Sequence, residues 1–333
     1  MTRLSSPAVA GEPIRRQPSS WSRRNPHGRD RLYPARRSGV CLDTRTGPER
    51  QVDTVTARFR IHTYSAGETG IFVNSYLIET ADGVVLIDAN LLVSDARALA
   101  ARLAALHKPL LGAFVTHPHP DHFNGLPYVV PDDVPVYATA AVAKVIEESA
   151  IAKREQWQPT YGDEWPDRYR VPENLIPSGS GVVLGGATFT VHDVGPAESH
   201  ADSYILAEAG EQRVAFIGDL AFGGGVHSYM TDGHSGSWLT ALDRLTGELA
   251  GLPLYPGHGP VGDRGLLFDQ RKYLVMYREA VRRIGSGAAE LTDAQKDELS
   301  AVLTEFLPDA PLAWLVPLGA DPVAAELAAS GAV

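Results

Sequence analysis

Apolar positions along this chain alternate between two periods. Over Arg58-Phe59-Arg60-Ile61-His62-Thr63-Tyr64 they recur every second residue, which predicts a strand with one buried face. Gly70 to Glu79 predicts a second strand, after the turn-forming residues 66–70. Asp82-Gly83 signals a hairpin, and Val84-Val85-Leu86-Ile87 runs apolar up to Asp88, the pattern of a buried strand. From Ser94 to His107 the period becomes helical. Ala96, Leu99, Leu103 and Leu106 share a face there, and Ser94 is placed to cap it. Another buried strand is expected over Leu110–Val115, a short one over Val136–Ala138, and a helix from about Ala140 to Lys153.

The second half repeats this texture. Strands are expected at Ala187–Val194, Ser203–Ala207 and Arg213–Gly218, a helix over about Ser237–Ala250, and a strand at Pro253-Leu254-Tyr255. Helices follow at roughly Arg264–Ile284 and Thr292–Leu307. Between the halves, residues 156–172 carry Trp157, Tyr161, Trp165 and Tyr169 with Pro159 and Pro166 and show no period, so they read as an insertion that lines the site as a lid or packs on the core. Strand-rich halves that each end in helices predict two sheets face to face with helices outside. No short repeat is visible, which excludes a solenoid. Residues 311–333 read as a C-terminal tail or a terminal helix, leaving 56–310 as the main domain.

Charge changes the picture at the N-terminus. Residues 1–50 hold 11 Arg and no Lys against four acids, a net of +7, so the rest of the chain carries −17 of the overall −10. That segment is rich in Pro, Ser and Gly without a hydrophobic period, so residues 1–55 read as a disordered basic tail. No apolar stretch follows its arginine pairs as a secretory signal requires, and no run is long enough to span a bilayer. A cytoplasmic location is therefore expected. The acidic body argues against a nucleic-acid footprint. The single cysteine, Cys41, excludes an internal disulfide framework.

The candidate chemistry sits in Thr116-His117-Pro118-His119-Pro120-Asp121-His122, directly after the apolar run 110–115. Proline at 118 and 120 removes backbone donors. Imidazole and carboxylate together suit zinc, iron or manganese, and groups so close repel or desolvate one another unless a cation unites them. Three further candidates lie near strand ends. They are His200 in Gly195-Pro196-Ala197-Glu198-Ser199-His200, Asp219 after an apolar strand, and His258 between Gly257 and Gly259. A carboxylate at the mouth of an apolar strand is costly to bury without a partner.

The order and separation of these residues resemble the metallo-β-lactamase-fold superfamily over about residues 57–285. The resemblance rests on His-x-His-x-Asp-His, a downstream His in a Gly-containing loop, Gly-Asp after a strand, and Gly-His-Gly near the end. It implies an α/β, αββα four-layer sandwich with the site at one edge of the sheets. It also implies two metal sites: one of His117, His119 and His200, the other of Asp121, His122 and His258, with Asp219 bridging. Two zinc ions are expected, with iron or manganese as alternatives. They would share a hydroxide, keep about one net positive charge, and act on an ester, lactone or thioester carbonyl, with Asp121 orienting the nucleophile. Metallo-β-lactamases proper generally lack the bridging aspartate, so Asp219 makes the chain look more like the hydroxyacylglutathione hydrolase and lactonase branch. A phosphodiesterase, a mononuclear iron dioxygenase of persulfides, and a metal-stabilised binding module without turnover are the rival readings.

His227, Tyr229 and His234, after Asp219, are candidates to line the substrate pocket, Tyr229 as a proton donor. Asp88 is expected to support the metal loop. Gly125 is expected to allow the turn after the motif. The implied partner is a small-molecule substrate, with neither nucleic acid nor membrane expected.

Overall fold

The computed structural model describes residues 58–331. The expected basic tail, with Cys41, lies outside the described residues. Eleven strands among the described residues form two sheets. The first holds, in spatial order, β1 (Arg60–Ser65), β2 (Asn74–Glu79), β3 (Val84–Ile87), β4 (Leu110–Phe114), β5 (Val136–Ala138) and β6 (Asn174–Leu175). The second runs β11 (Leu254–Pro256), β10 (Gln212–Gly218), β9 (Asp202–Ala209), β8 (Ala187–Gly195) and β7 (Ser180–Leu184). β1–β2–β3 is an antiparallel meander, whereas β3, β4 and β5 are parallel. The parallel crossover from β3 to β4 carries helix α1 (Val93–Ala105).

Strand alternation assigns each apolar residue to a layer. Along β3, Val85 and Ile87 face the second sheet, and Val84 and Leu86 face the helices. Along β10, Val214 and Phe216 face inward, and Ala215 and Ile217 face the other helical layer. The inter-sheet core is thus Tyr76, Ile78 and Phe114 against Phe189, Ile205 and Phe216. Truncating Phe216 to Ala would cost about 3–5 kcal/mol by leaving a cavity between the sheets. Outside the first sheet lie α1, the single-turn helices α2 (Pro120–Phe123) and α3 (Leu126–Val129), and α4 (Ala140–Tyr161). Outside the second lie α5 (Ser235–Glu248), α6 (Gly265–Gly285), α7 (Asp293–Phe306) and α8 (Ala320–Ala329). The architecture is the αββα sandwich.

Several elements differ from the sequence expectation, each for a local reason. The second strand begins at Asn74, because Ile71 and Phe72 take left-handed backbone after a 3-10 turn at Glu68–Gly70. α1 is not capped by Ser94. The Ser94 amide instead donates to Glu164 at 2.9 Å, a cap supplied from 70 residues away. α4 runs on to Tyr161, with Pro159 tolerated in its last turn, so residues 156–161 of the expected insertion are helix. Residues 313–319 form a 3-10 segment leading into α8, and Leu315, Val316, Val323 and Leu327 are buried in the core of the second helical layer. No helix among the described residues is long and apolar enough to cross a membrane.

Candidate metal centre

The site lies where strand ends of both sheets meet. β4 runs into His117, and α2 then turns Asp121 and His122 back over it. Asp219 follows β10 directly, and Gly257-His258 follows β11. Seven buried side chains converge there as two groups. One is Asp121, His122, Asp219 and His258, and the other is His117, His119 and Glu198. Within each group the donor atoms lie within 4.8 Å of one another, and the His117 and His122 rings, 4.0 Å apart, join the groups.

Local hydrogen bonds decide which ring nitrogen faces inward. Asp88, in left-handed backbone with φ 57°, accepts from the Thr116 amide at 2.9 Å and its hydroxyl at 2.8 Å. Its carboxylate also lies 2.8 Å from His122 Nδ1. That fixes His122 with Nε2 inward, 3.2 Å from Asp121 Oδ2 and 3.5 Å from Asp219 Oδ1. The Ile71 carbonyl does the same for His258 Nδ1 at 2.9 Å, leaving Nε2 3.1 Å from Asp121 and 3.2 Å from Asp219. His119 turns Nδ1 to Glu198, 2.9 Å away, and Nε2 to Asp232, 3.2 Å away. Such carboxylate and carbonyl partners orient ligating imidazoles. Gly257 is required by space, since a Cβ there would fall 1.9 Å from Asp219 Oδ1.

The electrostatics are those of ionisable groups crowded together away from water. Burial pushes the Glu198 carboxyl up to about 8, and His119 offsets only part of that. Burial also opposes charge on His258 and Asp219. Their mutual attraction wins, pushing His258 up to about 10 and holding Asp219 far below the carboxylate range. Yet His117 Nε2, His122 Nε2, both Glu198 oxygens and Asp219 Oδ1 are buried with no hydrogen-bond partner. Donor atoms drawn together without hydrogen-bond alignment fit cation ligation, and an all nitrogen and oxygen set suits zinc, iron or manganese.

One expected ligand is not brought to the site. His200 has a side chain 54 % exposed, with Nδ1 2.6 Å from His234 Nε2 and Nε2 3.8 Å from Asp232. The place beside His117 and His119 belongs to Glu198 instead. The loop between β8 and β9 explains the exchange. Asp202 accepts from the Ala197 amide at 3.1 Å and the Ser199 amide at 2.8 Å, a turn that points residue 198 inward and leaves residue 200 facing out. The Ser199-x-x-Asp202 spacing carried that signal. The family resemblance implied His200, and sequence reasoning did not single out Glu198.

Other candidates separate as clearly. Tyr229 lines the cleft and meets the His119 ring edge-on at 5.1 Å. His227 does not reach the cleft; it is fully buried with Nδ1 3.2 Å from the Tyr273 hydroxyl. His234 precedes α5 as its N-cap residue and pairs with His200, away from the cleft. Gly125 has an ordinary φ of −75°, so the turn does not require it. Its smallness does, because a Cβ would fall 1.8 Å from the Ala89 carbonyl oxygen. Sequence reasoning missed Asp232 and Lys153, which border the site from outside the motif.

Above the two groups opens a cleft of about 70 Å³. Trp157, Tyr161 and Trp165 form one wall, and Leu312, Trp314 and Leu315 form the other. Trp157 and Trp314 meet edge-on at 6.3 Å. The expectation that the 156–172 stretch lines the site thus describes its first half.

A family model described as the metallo-beta-lactamase superfamily matches residues 69–258, a span that includes all seven converging residues. A type 2 metallo-beta-lactamase of Bacillus cereus is 22 % identical over 62 % of this chain and 75 % of its own length. A beta-lactamase-like protein 2 homolog of Caenorhabditis elegans is 25 % identical over 57 % of each. Among solved structures, a beta-lactamase domain protein from Burkholderia ambifaria has the same fold, with a TM-score of 0.58 and 16 % identity over 85 % of this chain and 92 % of that one. With more than half of the chain matched and the sandwich and paired His-carboxylate groups in place, the chain belongs to the metallo-beta-lactamase superfamily, whose members of this kind are metal-dependent hydrolases.

Proposed function

We propose that the chain hydrolyses an ester, lactone or thioester at a centre of two divalent cations, zinc foremost. One would be held by His117, His119 and Glu198, the other by Asp121, His122 and His258, with Asp219 between them. The observation that carries this reading is the convergence of seven buried His and carboxylate side chains, of which His117 Nε2, His122 Nε2, both Glu198 oxygens and Asp219 Oδ1 have no hydrogen-bond partner. Cations bound there would lower the pKa of water towards neutrality and polarise a carbonyl.

The chain's own groups supply the rest. Asp121 lines the cleft. Its Oδ2 faces His122 and His258, so its other oxygen is the one to accept a proton from an attacking water. The aromatic walls exclude bulk water and bind the apolar part of a substrate. Hydrolysis breaks the acyl C–O or C–S bond, adds water, and releases a carboxylate with an alcohol or thiol. Glu198 in place of a neutral imidazole removes about one positive charge, so two divalent ions against three carboxylates and a hydroxide leave the centre about neutral.

Metal analysis and a rate panel test this together. Two zinc ions per chain are expected, with turnover of thioesters or lactones that a chelator abolishes and zinc restores, and little turnover of penicillins or carbapenems. A phosphodiester as the sole substrate would overturn the carbonyl assignment. A second reading has one observation in its favour: two histidines and a carboxylate, as in His117, His119 and Glu198, are the set that holds non-haem iron in oxygenases. One iron per chain with oxygen consumption would select it.

A further inference from the structure

Helix α4 carries Lys153, Trp157 and Tyr161 at four-residue spacing, which puts them on one face, and all three line the cleft. Lys153 is the one Lys or Arg on the cleft wall among the described residues. Its Nζ lies 5.4 Å from the Tyr229 ring centre and 3.4 Å from the Tyr229 hydroxyl. Tyr229 in turn stands edge-on to His119. The ammonium therefore sits one ring away from the candidate metal ligands.

The nearby carboxylates are engaged elsewhere. Asp232 is turned to His119 at 3.2 Å, and Glu198 to His117 and His119 at 3.5 and 2.9 Å. Lys153 makes no ion pair with either, although their field favours its charge. Burial opposes that charge, but Tyr229, Asp232 and Glu198 outweigh it and hold its pKa above the ordinary lysine value. A charged lysine beside aromatic walls, with donors left unused, has what the recognition of an anion requires. With the metal centre about neutral, it is also the main source of positive charge facing the substrate.

We propose that Lys153, together with the Tyr229 hydroxyl, binds an anionic group of the substrate while Trp157, Tyr161 and Trp314 hold its apolar part. The substrate class is then an apolar acyl ester or thioester that bears a negative charge. The claim deepens the carbonyl-hydrolase reading and rests on it for the reacting bond, though not for the binding of the anion.

The test uses the metal-loaded full chain, Lys153→Met and Lys153→Arg, with para-nitrophenyl hexanoate and the para-nitrophenyl monoester of adipate. These probes match in chain length and differ by a carboxylate. The wild type should favour the adipate ester. Lys153→Met should raise its KM about tenfold or more with kcat little changed, and leave the hexanoate ester unaffected. Lys153→Arg should retain most of the preference. Equal losses on both esters, or no preference in the wild type, would overturn the proposal. Calorimetric binding of phenylbutyrate and its neutral amide gives an arm that needs no turnover. If neither ester is cleaved, the hydrolase reading fails by itself. Anion recognition then stands if Lys153→Met weakens phenylbutyrate alone by about tenfold, and falls if both ligands bind the variant as they bind the wild type.

Discussion

The floor of the cleft hangs from the ends of β3, β4, β8, β10 and β11, whereas its walls come from the last turns of α4 and the 3-10 segment before α8. Floor residues are fixed by hydrogen bonds to a rigid frame: Asp88 under the 116–122 loop, the Ile71 carbonyl behind His258, and Asp202 inside the loop of Glu198. The wall is fixed by aromatic contacts 6.0–6.4 Å apart, and Trp314 remains 48 % exposed. A misplaced floor group loses chemistry, because ligand geometry tolerates little error. A misplaced wall group loses selectivity and leaves the chemistry standing.

Substitutions in the floor should therefore have the largest effects. On the proposed reading Asp121→Ala would remove a ligand and the proton acceptor, so turnover should fall by orders of magnitude and metal content from about two per chain towards one. Full activity in that variant would break the account of the floor. Glu198→Gln should lose metal from the His117–His119 side and about a hundredfold or more in rate, while His200→Ala keeps both. Reversed outcomes would restore His200 as the ligand. Asp88→Asn leaves every ligand in place but weakens the support of His122, and should lower metal affinity about 10–100-fold by competition with a chromogenic chelator.

Metal removal probes the same difference in stability. The floor buries ionisable groups that a cation would unite, so chelation should lower the melting temperature. At a free metal concentration near 100 times Kd the lost stabilisation is about 2.7 kcal/mol. An unchanged melting temperature would mean that the groups hold no ion. The smallest effect belongs to the wall. Trp314→Ala should raise KM several-fold for apolar esters, with metal content and melting temperature nearly unchanged.

Legibility in the sequence follows the same division. The sandwich could be read because β3, β4 and β10 are apolar on both faces and the helices keep a 3.6-residue period. The 117–122 motif, Asp219 and His258 could be read because strand ends fix them, and a strand end is visible as the point where an apolar run stops. Glu198 could not be chosen over His200, because that depends on two amides folding onto Asp202. α4 was expected to end near Lys153 because residues 156–172 show no period, yet it runs on to Tyr161, since a proline in a last turn disrupts little. Strands β6 and β7 escaped notice: one has two residues, and the other begins with Ser180-Gly181 and leaves Val183 70 % exposed. The walls were invisible for a further reason. Trp157 and Trp314 are 157 residues apart in the chain, and only the packing of the 3-10 segment brings them together.

Anomalous diffraction from crystals of the zinc-loaded chain tests the central claim most directly. The account predicts two peaks per chain. One should lie about 2.0–2.2 Å from His117, His119 and Glu198, and the other at similar distances from Asp121, His122 and His258, with Asp219 between them. A single peak, or a peak ligated by His200 with Glu198 turned away, would contradict it.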